Sequence, residues 1–325
     1  IQTEHWVRRS LKRAEFEGGG VDCPHEIRPH PRMSSLGEEL TRAGCNVKPA
    51  LLAGKIPHDR WRFLSSKMSG FSGEPSDCTG LLYELREVKS SWEISMIRES
   101  GAINKRMFDA VFENGGLGKS ELEMAGAADE VSRVAGFGGR IRMRKWPMDC
   151  DRVVIAAGRS GAVPSYFDSA VGGSGGSPIS SLGAGFHVVK EKQPVLVDIV
   201  HVHRGYVSDC TRMFTAGKLA SEWEVRLEDM SEIGRRLVGW LGKGKECSES
   251  WDNGIEMASE MGHSKHLMGI SPNQACFLGH SVGLELDETP VVARGFDRPL
   301  PKGGTMAIEP KVIHPEGAIG TEDTW

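Results

Sequence analysis

The chain has 325 residues, 39% of them hydrophobic and 26% charged, and a formal net charge of -4; that is enough for one large or two medium domains, and the mixed-sign balance excludes a nucleic-acid-binding footprint. No apolar run approaches the ~20 residues that span a bilayer, and the opening IQTEHWVRRSLKRAEF is too polar for a signal peptide, so no membrane partner is expected. Seven scattered cysteines without C-x-x-C spacing read as reduced thiols in a cytoplasmic protein.

In chain order, residues 1–85 carry a basic opening (Arg8, Arg9, Lys12, Arg13), a turn-rich stretch EGGGVDCPHEIRPHPRMSS, and one helical candidate, Ser35 to Ala43. From Val88 the pattern sharpens. Ser90 and Glu93 form a capping box, and Ile94, Ile97, Gly101, Asn104, Phe108 and Val111 follow at helical steps. Ser120 and Glu123 repeat the box for a second helix, with Leu122 and Val131 marking its apolar face and Gly136 its end. A strand at Asp151 to Ala157 leads into a Gly/Ser-rich loop, GRSGAVPSYFDSAVGGSGGSPISSLGAG, too long for a mere connection. Pro194 to Phe214 reads as a hairpin turning at Arg204-Gly205. Ser221 and Glu224 box a third helix with Trp223, Leu227, Met230, Ile233, Leu237 and Trp240 on its apolar face, and a fourth runs from Ser250 to Met261. Helix pair, hairpin, helix pair and strands fit a curved antiparallel sheet backed by helices.

Two aspartates, Asp198 and Asp209, stand inside the apolar hairpin. Buried carboxylates brought together repel unless a cation sits between them. Further ligands are expected in apolar, strand-like settings downstream, and three occur: His280 in FLGHSVGLELDETP, Glu309 in TMAIEPKVI and Glu322 in GAIGTEDTW. Four carboxylates and an imidazole form a hard donor set suited to Mn²⁺, Fe²⁺, Co²⁺ or Zn²⁺.

This series resembles the creatinase, prolidase and methionine aminopeptidase superfamily of pita-bread metallopeptidases. The resemblance rests on Asp198, Asp209 eleven residues later, His280 in a G-H-x-x-G context, Glu309 in I-E-P and Glu322 in G-x-E-D-T, with GYVSDCTRMFTAG and LREVKSSWEISMIRESGAIN in support. It implies an α+β pita-bread fold, with a short or partial N-terminal α/β domain over residues 1–85 and a catalytic domain over 86–325. The sequence begins with Ile and ends three residues after Glu322, so a fragment or trimmed chain is expected. The resemblance further implies two divalent ions, bridged by Asp209 and Glu322, one chelated by Asp198 and the other completed by His280 and Glu309. In such a site a bridging water is activated for attack on a peptide carbonyl, with Glu309 as the general base. A homodimer and an Xaa-Pro peptide substrate are the expected partners.

Two positions depart from the peptidase pattern. Where those enzymes carry accessory histidines, this chain has Asp287, in ELDETP, and Ser165, in AVPSYFDS. Both are catalytic candidates. Tyr166 and Asp168 are expected to meet substrate, and Arg212, grouped with them, to orient a carboxylate. His201 and His203 should point away from the metals, being three and five residues beyond Asp198 on a strand. The leading reading is an Xaa-Pro aminopeptidase or dipeptidase. The alternatives are cleavage of C–N or C–S bonds in a small zwitterion on the same fold, favoured by the replaced histidines, and a non-catalytic binding module.

Overall fold

The structure, a computed structural model, describes residues 4–7, 11–16, 26–47, 49–68, 70–71, 73–145, 150–179 and 182–325. Arg8, Arg9 and the run 17–25 with Cys23 lie outside the described residues. The chain divides into two compact units, Ile1–Leu82 and Tyr83–Trp325.

In the first unit β1 (Glu4–Val7) pairs in parallel with β2 (Glu26–Pro29), and β3 (Ala50–Leu51) with β4 (Ser76–Asp77). Its helices are α1 (Leu11–Phe16), α2 (Leu36–Arg42) and α3 (His58–Lys67), and α4 (Thr79–Glu87) crosses the division. The helix expected from Ser35 to Ala43 is α2, entered through a 3-10 turn over Met33–Ser35.

The second unit opens with α5 (Ser91–Asn114) and α6 (Glu121–Val134). Both capping boxes form: the Ser90 and Ser120 hydroxyls accept from the backbone N–H of Glu93 and Glu123, whose carboxylates reach back to the cap N–H groups. The buried face of α5 is Met96, Ile97, Ser100, Ile103, Asn104, Met107 and Val111. Ile97, Asn104 and Val111 of the anticipated stripe lie on that face, whereas Ile94, Gly101 and Phe108 are only half-buried beside a surface cavity near Trp325, because Ser100 and Asn104 turn inward to bond the carbonyls of His201, Ile199 and Ser208. Leu122 is 37% exposed, so it does not mark the inner face of α6. Glu121 does: its carboxylate accepts from the N–H of Ala157 (2.7 Å), the N–H of Gly185 (2.8 Å) and the Ser160 hydroxyl. It thereby ties the helix to the strand end and to the far side of the glycine-rich loop.

Three antiparallel strands follow, β5 (Val153–Ala157), β6 (Val195–His203) and β7 (Tyr206–Phe214), in the order β5-β6-β7. His203 faces Tyr206 across a two-residue turn with positive φ at Arg204 (49°) and Gly205 (93°), a turn whose twist matches that of the strands. Then come α7 (Ser221–Gly242) and α8 (Cys247–Glu260). The third capping box does not form: Ala220 is the N-cap and Ser221 is already helical, so its hydroxyl has no cap to serve. The remaining strands are β8 (Gly279–Ser281), β9 (Glu288–Val291), β10 (Met306–Ile308), β11 (Lys311–His314), β12 (Gly317–Gly320) and β13 (Asp323–Thr324). They form an antiparallel sheet β13-β10-β8-β9 and a hairpin β11-β12, and a bridge from Thr211 to Glu322 joins them to β7.

Each helix pair covers its own core. Met107, Met124 and Ala128 of α5 and α6 pack on Ile155 and Ile199, while Met230, Ile233, Leu237 and Trp251 of α7 and α8 pack on Leu278, Ile308 and Ile319. The segment before α5 is fastened by charge: Glu87 pairs with Arg298, and Lys89 with Glu288 at 3.0 Å in a buried setting.

Removing the Glu121 carboxylate leaves two buried N–H donors unmet, and Glu121→Ala is expected to lower unfolding stability by about 3 kcal/mol, read by chemical denaturation. A second expectation concerns His201, which is buried against Ser132 and Phe137. Burial, aided by His203, lowers its pKa to about 4. The unfolded chain binds this proton at a higher pH, so stability is full above pH 6.5 and falls as pH drops toward 4, by about 3 kcal/mol once the ring must be charged. Denaturation between pH 7.5 and 4.5 should show that slope, and His201→Gln should lose it.

Candidate metal centre

Register brings the predicted ligands together. Val200 pairs with Asp209 and Asp198 with Thr211 across β6 and β7, so both aspartates share one face. His280 lies opposite Ala307 on β10, Glu309 follows that strand directly, and Glu322 precedes β13. The His280 Nε2 is 3.3 Å from Glu309 Oε1 and 3.7 Å from Asp209 Oδ2. All five predicted ligands therefore converge.

A sixth group sits among them that the sequence did not single out. Lys311, on β11, is only 1% exposed. Its ammonium donates to Glu309 Oε2 at 2.6 Å and Glu322 Oε2 at 2.7 Å and lies 3.5 Å from Asp198 Oδ2. Glu322 Oε2 also accepts from the Thr211 hydroxyl at 2.9 Å. The lysine stem has room because Gly320 is its cross-strand partner: a Cβ there would meet Lys311 Cγ at 2.6 Å.

Burial and mutual repulsion set the protonation of the cluster. Burial drives Asp209 well above the usual carboxylate range, with Glu322 and Asp198 adding to it. It likewise raises Glu322, to about 8, helped by Glu309. Asp198 rises by burial although Lys311 opposes it. Glu309 moves the other way: burial would raise it, but Lys311 and His280 hold it at about 2. Burial would lower His280, yet its bond to Glu309 takes it to about 9.

Two buried oxygens, Asp209 Oδ1 and Glu322 Oε1, have no hydrogen-bond partner. One donor atom each from Asp209, His280 and Glu322 lies within 4.8 Å of the others. A mixed N/O trio with orphaned carboxylate oxygens fits a divalent ion such as Mn²⁺, Fe²⁺, Co²⁺ or Zn²⁺. A second ion fits poorly beside it, because a dication about 4 Å from the Lys311 ammonium would be repelled by about 8 kcal/mol at an effective dielectric of 20.

Asp198, Asp209, His280 and Glu309 line a cavity of about 310 Å³ whose apolar wall includes Phe167, Phe277 and Phe296. Residues 158–185, the glycine-rich loop, supply Phe167, Asp168, Ser169, Val171 and Leu182 to it. Asp168 thus reaches the cavity, where it accepts from the Cys276 N–H at 3.1 Å and lies 4.0 Å from Lys145. Tyr166 does not line it; its ring is 59% exposed and stacks edge-on against Phe167. Neither does Ser165, whose hydroxyl accepts from the N–H of Phe167.

Asp287 lines the cavity, but its carboxylate accepts from the N–H groups of Arg144 and Lys145. It is engaged in holding that segment. Arg212 faces the opposite side, with its guanidinium on the carbonyl of Glu322 and the carboxylate of Asp323 (2.6 Å). It steadies the strand that carries Glu322 and does not reach the cavity. His201 and His203 point away from the centre, toward Ser132 and Glu99.

Residues 95–325 match metallopeptidase family M24. The chain belongs to that family. Among the proteins this M24 chain resembles are the mitochondrial intermediate cleaving peptidase 55 of Arabidopsis thaliana, 27% identical over 93% of this chain and 57% of the relative, and the Xaa-Pro dipeptidase of Pyrococcus furiosus, 24% identical over 75% and 61%. The chain thus spans about three fifths of the length of these relatives. Its backbone is similar to the X-Pro aminopeptidase of Thermotoga maritima, with a TM-score of 0.75 at 19% identity over 99% of this chain and 80% of that one. The prolidase of Pyrococcus horikoshii gives 0.74 at 20% over 96% and 79%. These likenesses establish the pita-bread fold.

Asp209→Asn is expected to weaken Mn²⁺ or Zn²⁺ binding by more than ~100-fold, since even residues that only orient a ligand are worth about 10- to 100-fold; titration calorimetry checks this. In chelator the same variant should melt above the wild type, because one member of a mutually repelling buried cluster is gone.

Proposed function

We propose that this M24 protein is a metal-dependent hydrolase of the Xaa-Pro peptidase type, acting as an aminopeptidase or a dipeptidase. The observation that carries the reading is the opening of the Asp198, Asp209, His280 and Glu309 cluster onto a cavity with a three-phenylalanine wall. A carboxylate and imidazole floor supplies polar chemistry, and an apolar wall of that size suits a proline ring. Asp209, His280 and Glu322 would hold the metal, and a divalent ion there supplies Lewis acidity toward a water and a carbonyl. The expectation from family resemblance is two such ions, and the geometry of Lys311 bears on that number.

Glu309 is assigned as the proton acceptor. It lines the cavity, and Lys311 orients its Oε2. His280 Nε2 faces its Oε1 at 3.3 Å; were that nitrogen to hold the metal, Oε1 would be left open to accept the proton. The apolar wall excludes water from the reacting carbonyl. Asp287 keeps the 144–145 segment in place at the cavity edge. The described cysteines are all free, which supports a cytoplasmic setting, and the pairing common in such enzymes supports a homodimer. Residues 1–85 are assigned as a shortened form of the N-terminal domain.

One observation favours the second reading, cleavage of a C–N or C–S bond in a small zwitterion. Arg144 and Lys145 line the cavity together with Asp168 and Asp287, so both signs of charge face its contents.

The test is amine release from Xaa-Pro dipeptides, Xaa-Pro-Xaa tripeptides and proline-free controls, with metal-loaded protein beside Asp209→Ala. Proline-dependent turnover that vanishes in the variant and in chelator is the expected result. Silence across the whole panel from metal-loaded protein would reject the peptidase and move the search to zwitterions.

A further inference from the structure

The Lys311 ammonium and the oxygens it uses change what this centre can hold. A carboxylate that bridges two ions must give one oxygen to each. Glu322 cannot do so as it stands, because Oε2 is taken by Lys311 Nζ at 2.7 Å and by the Thr211 hydroxyl at 2.9 Å, leaving only Oε1 without a partner. Glu309 is similarly divided, with Oε2 on Lys311 and Oε1 facing His280. Asp198 has its nearest positive charge in the same ammonium, at 3.5 Å. The residues that remain open to an ion are Asp209, through Oδ1, Glu322, through Oε1, and His280.

We propose that Lys311 is a built-in cation that takes the place of one of the two metal ions, so that this centre binds a single divalent ion at Asp209, His280 and Glu322 while Asp198 serves the lysine. Two features of the fold support the substitution. Lys311 and Glu309 are two residues apart on an extended segment, so their side chains leave from the same face and the ammonium is delivered into the cluster without a loop. Gly320 opposite Lys311 leaves the space that the lysine stem fills. A single positive charge that cannot diffuse away neutralises part of the cluster permanently. An exchangeable ion is needed only for the remainder. Lys311 is a positioning residue in this scheme, since it reaches carboxylates and not the cavity.

The proposal rests on the metal-hydrolase reading above, and metal counting separates the two. Metal-free protein is dialysed against excess Mn²⁺, and separately Zn²⁺, and bound metal is measured by mass spectrometry against protein concentration. The wild type is expected to hold one equivalent. Lys311→Gly, which removes the ammonium and frees Glu322 Oε2, is expected to hold two, and Lys311→Met, which fills the space without the charge, to stay at one. Two equivalents in the wild type would overturn the proposal and leave the hydrolase reading intact. No bound metal in the wild type would overturn both. If Lys311→Gly fails to fold, as judged by its circular dichroism, the wild-type count still decides.

Discussion

Four carboxylates gathered in one buried cluster must be matched by positive charge, and the second unit is arranged around meeting that requirement. Asp198 and Asp209 come from a hairpin, Glu309 from the turn between two strands and Glu322 from the strand bridged to that hairpin. None of these positions would be stable as an isolated buried anion. Lys311 and His280 meet on Glu309 and hold it ionised, whereas Asp209 and Glu322 keep unpartnered oxygens and are pushed toward the protonated state. The uneven distribution locates the open ligand positions: the carboxylates with the highest proton affinity are also those with free lone pairs. Strain of this kind is typical of sites kept for function at some expense of stability.

The surrounding structure is best understood as support for that cluster. Helix α5 turns Ser100 and Asn104 inward to hold the outer backbone of the hairpin, and Glu121 pins the start of α6 to both ends of the glycine-rich loop. Arg212 does the same for Glu322 from behind, through its carbonyl and not its carboxylate. The cavity walls come from the loop and from the segment around Arg144, which Asp287 fixes by its backbone N–H groups. Asp287 and Arg212, which read as catalytic and substrate-side candidates from their positions in the chain, instead brace backbone around the cluster.

The convergence of Asp198, Asp209, His280, Glu309 and Glu322 is legible in the sequence because carboxylates and an imidazole inside apolar strands are costly to bury without a cation to bind, and because the order of five such residues matches a known pattern. The helices with true capping boxes are legible for a similar reason, since Ser90 with Glu93 and Ser120 with Glu123 satisfy donors that every helix start leaves open. Ser221 with Glu224 has the same spelling, but Ala220 takes the cap position, one residue of register that spacing alone does not set. Glu121 carries no signal in the sequence, because an acidic residue in a first helical turn is ordinary dipole chemistry; only the tertiary fold shows its carboxylate fully enclosed. Ser165 reads as a catalytic candidate because it stands where the resemblance expects a histidine, and Tyr166 as a substrate-side one, but the loop reaches the cavity through Phe167 and Asp168 instead.

Lys311 is hidden for a more instructive reason. In E-P-K a lysine two residues from a glutamate looks like a solvated strand residue, and nothing in its own neighbourhood of the chain says otherwise. What places it is the absence of a side chain nine residues away: Gly320 is its partner across the β11-β12 hairpin and leaves the volume through which the stem passes. A lysine and a divalent ion are not equivalent occupants. The ammonium carries half the charge, donates directed hydrogen bonds to chosen oxygens and cannot be withdrawn by a chelator. It therefore fixes the geometry of Glu309 and Glu322 whether or not an ion is bound, which a pair of exchangeable metals cannot do. Order at the centre then comes partly from the chain itself, and on the proposed reading a single ion would supply Lewis acidity to a site whose carboxylates are already aimed.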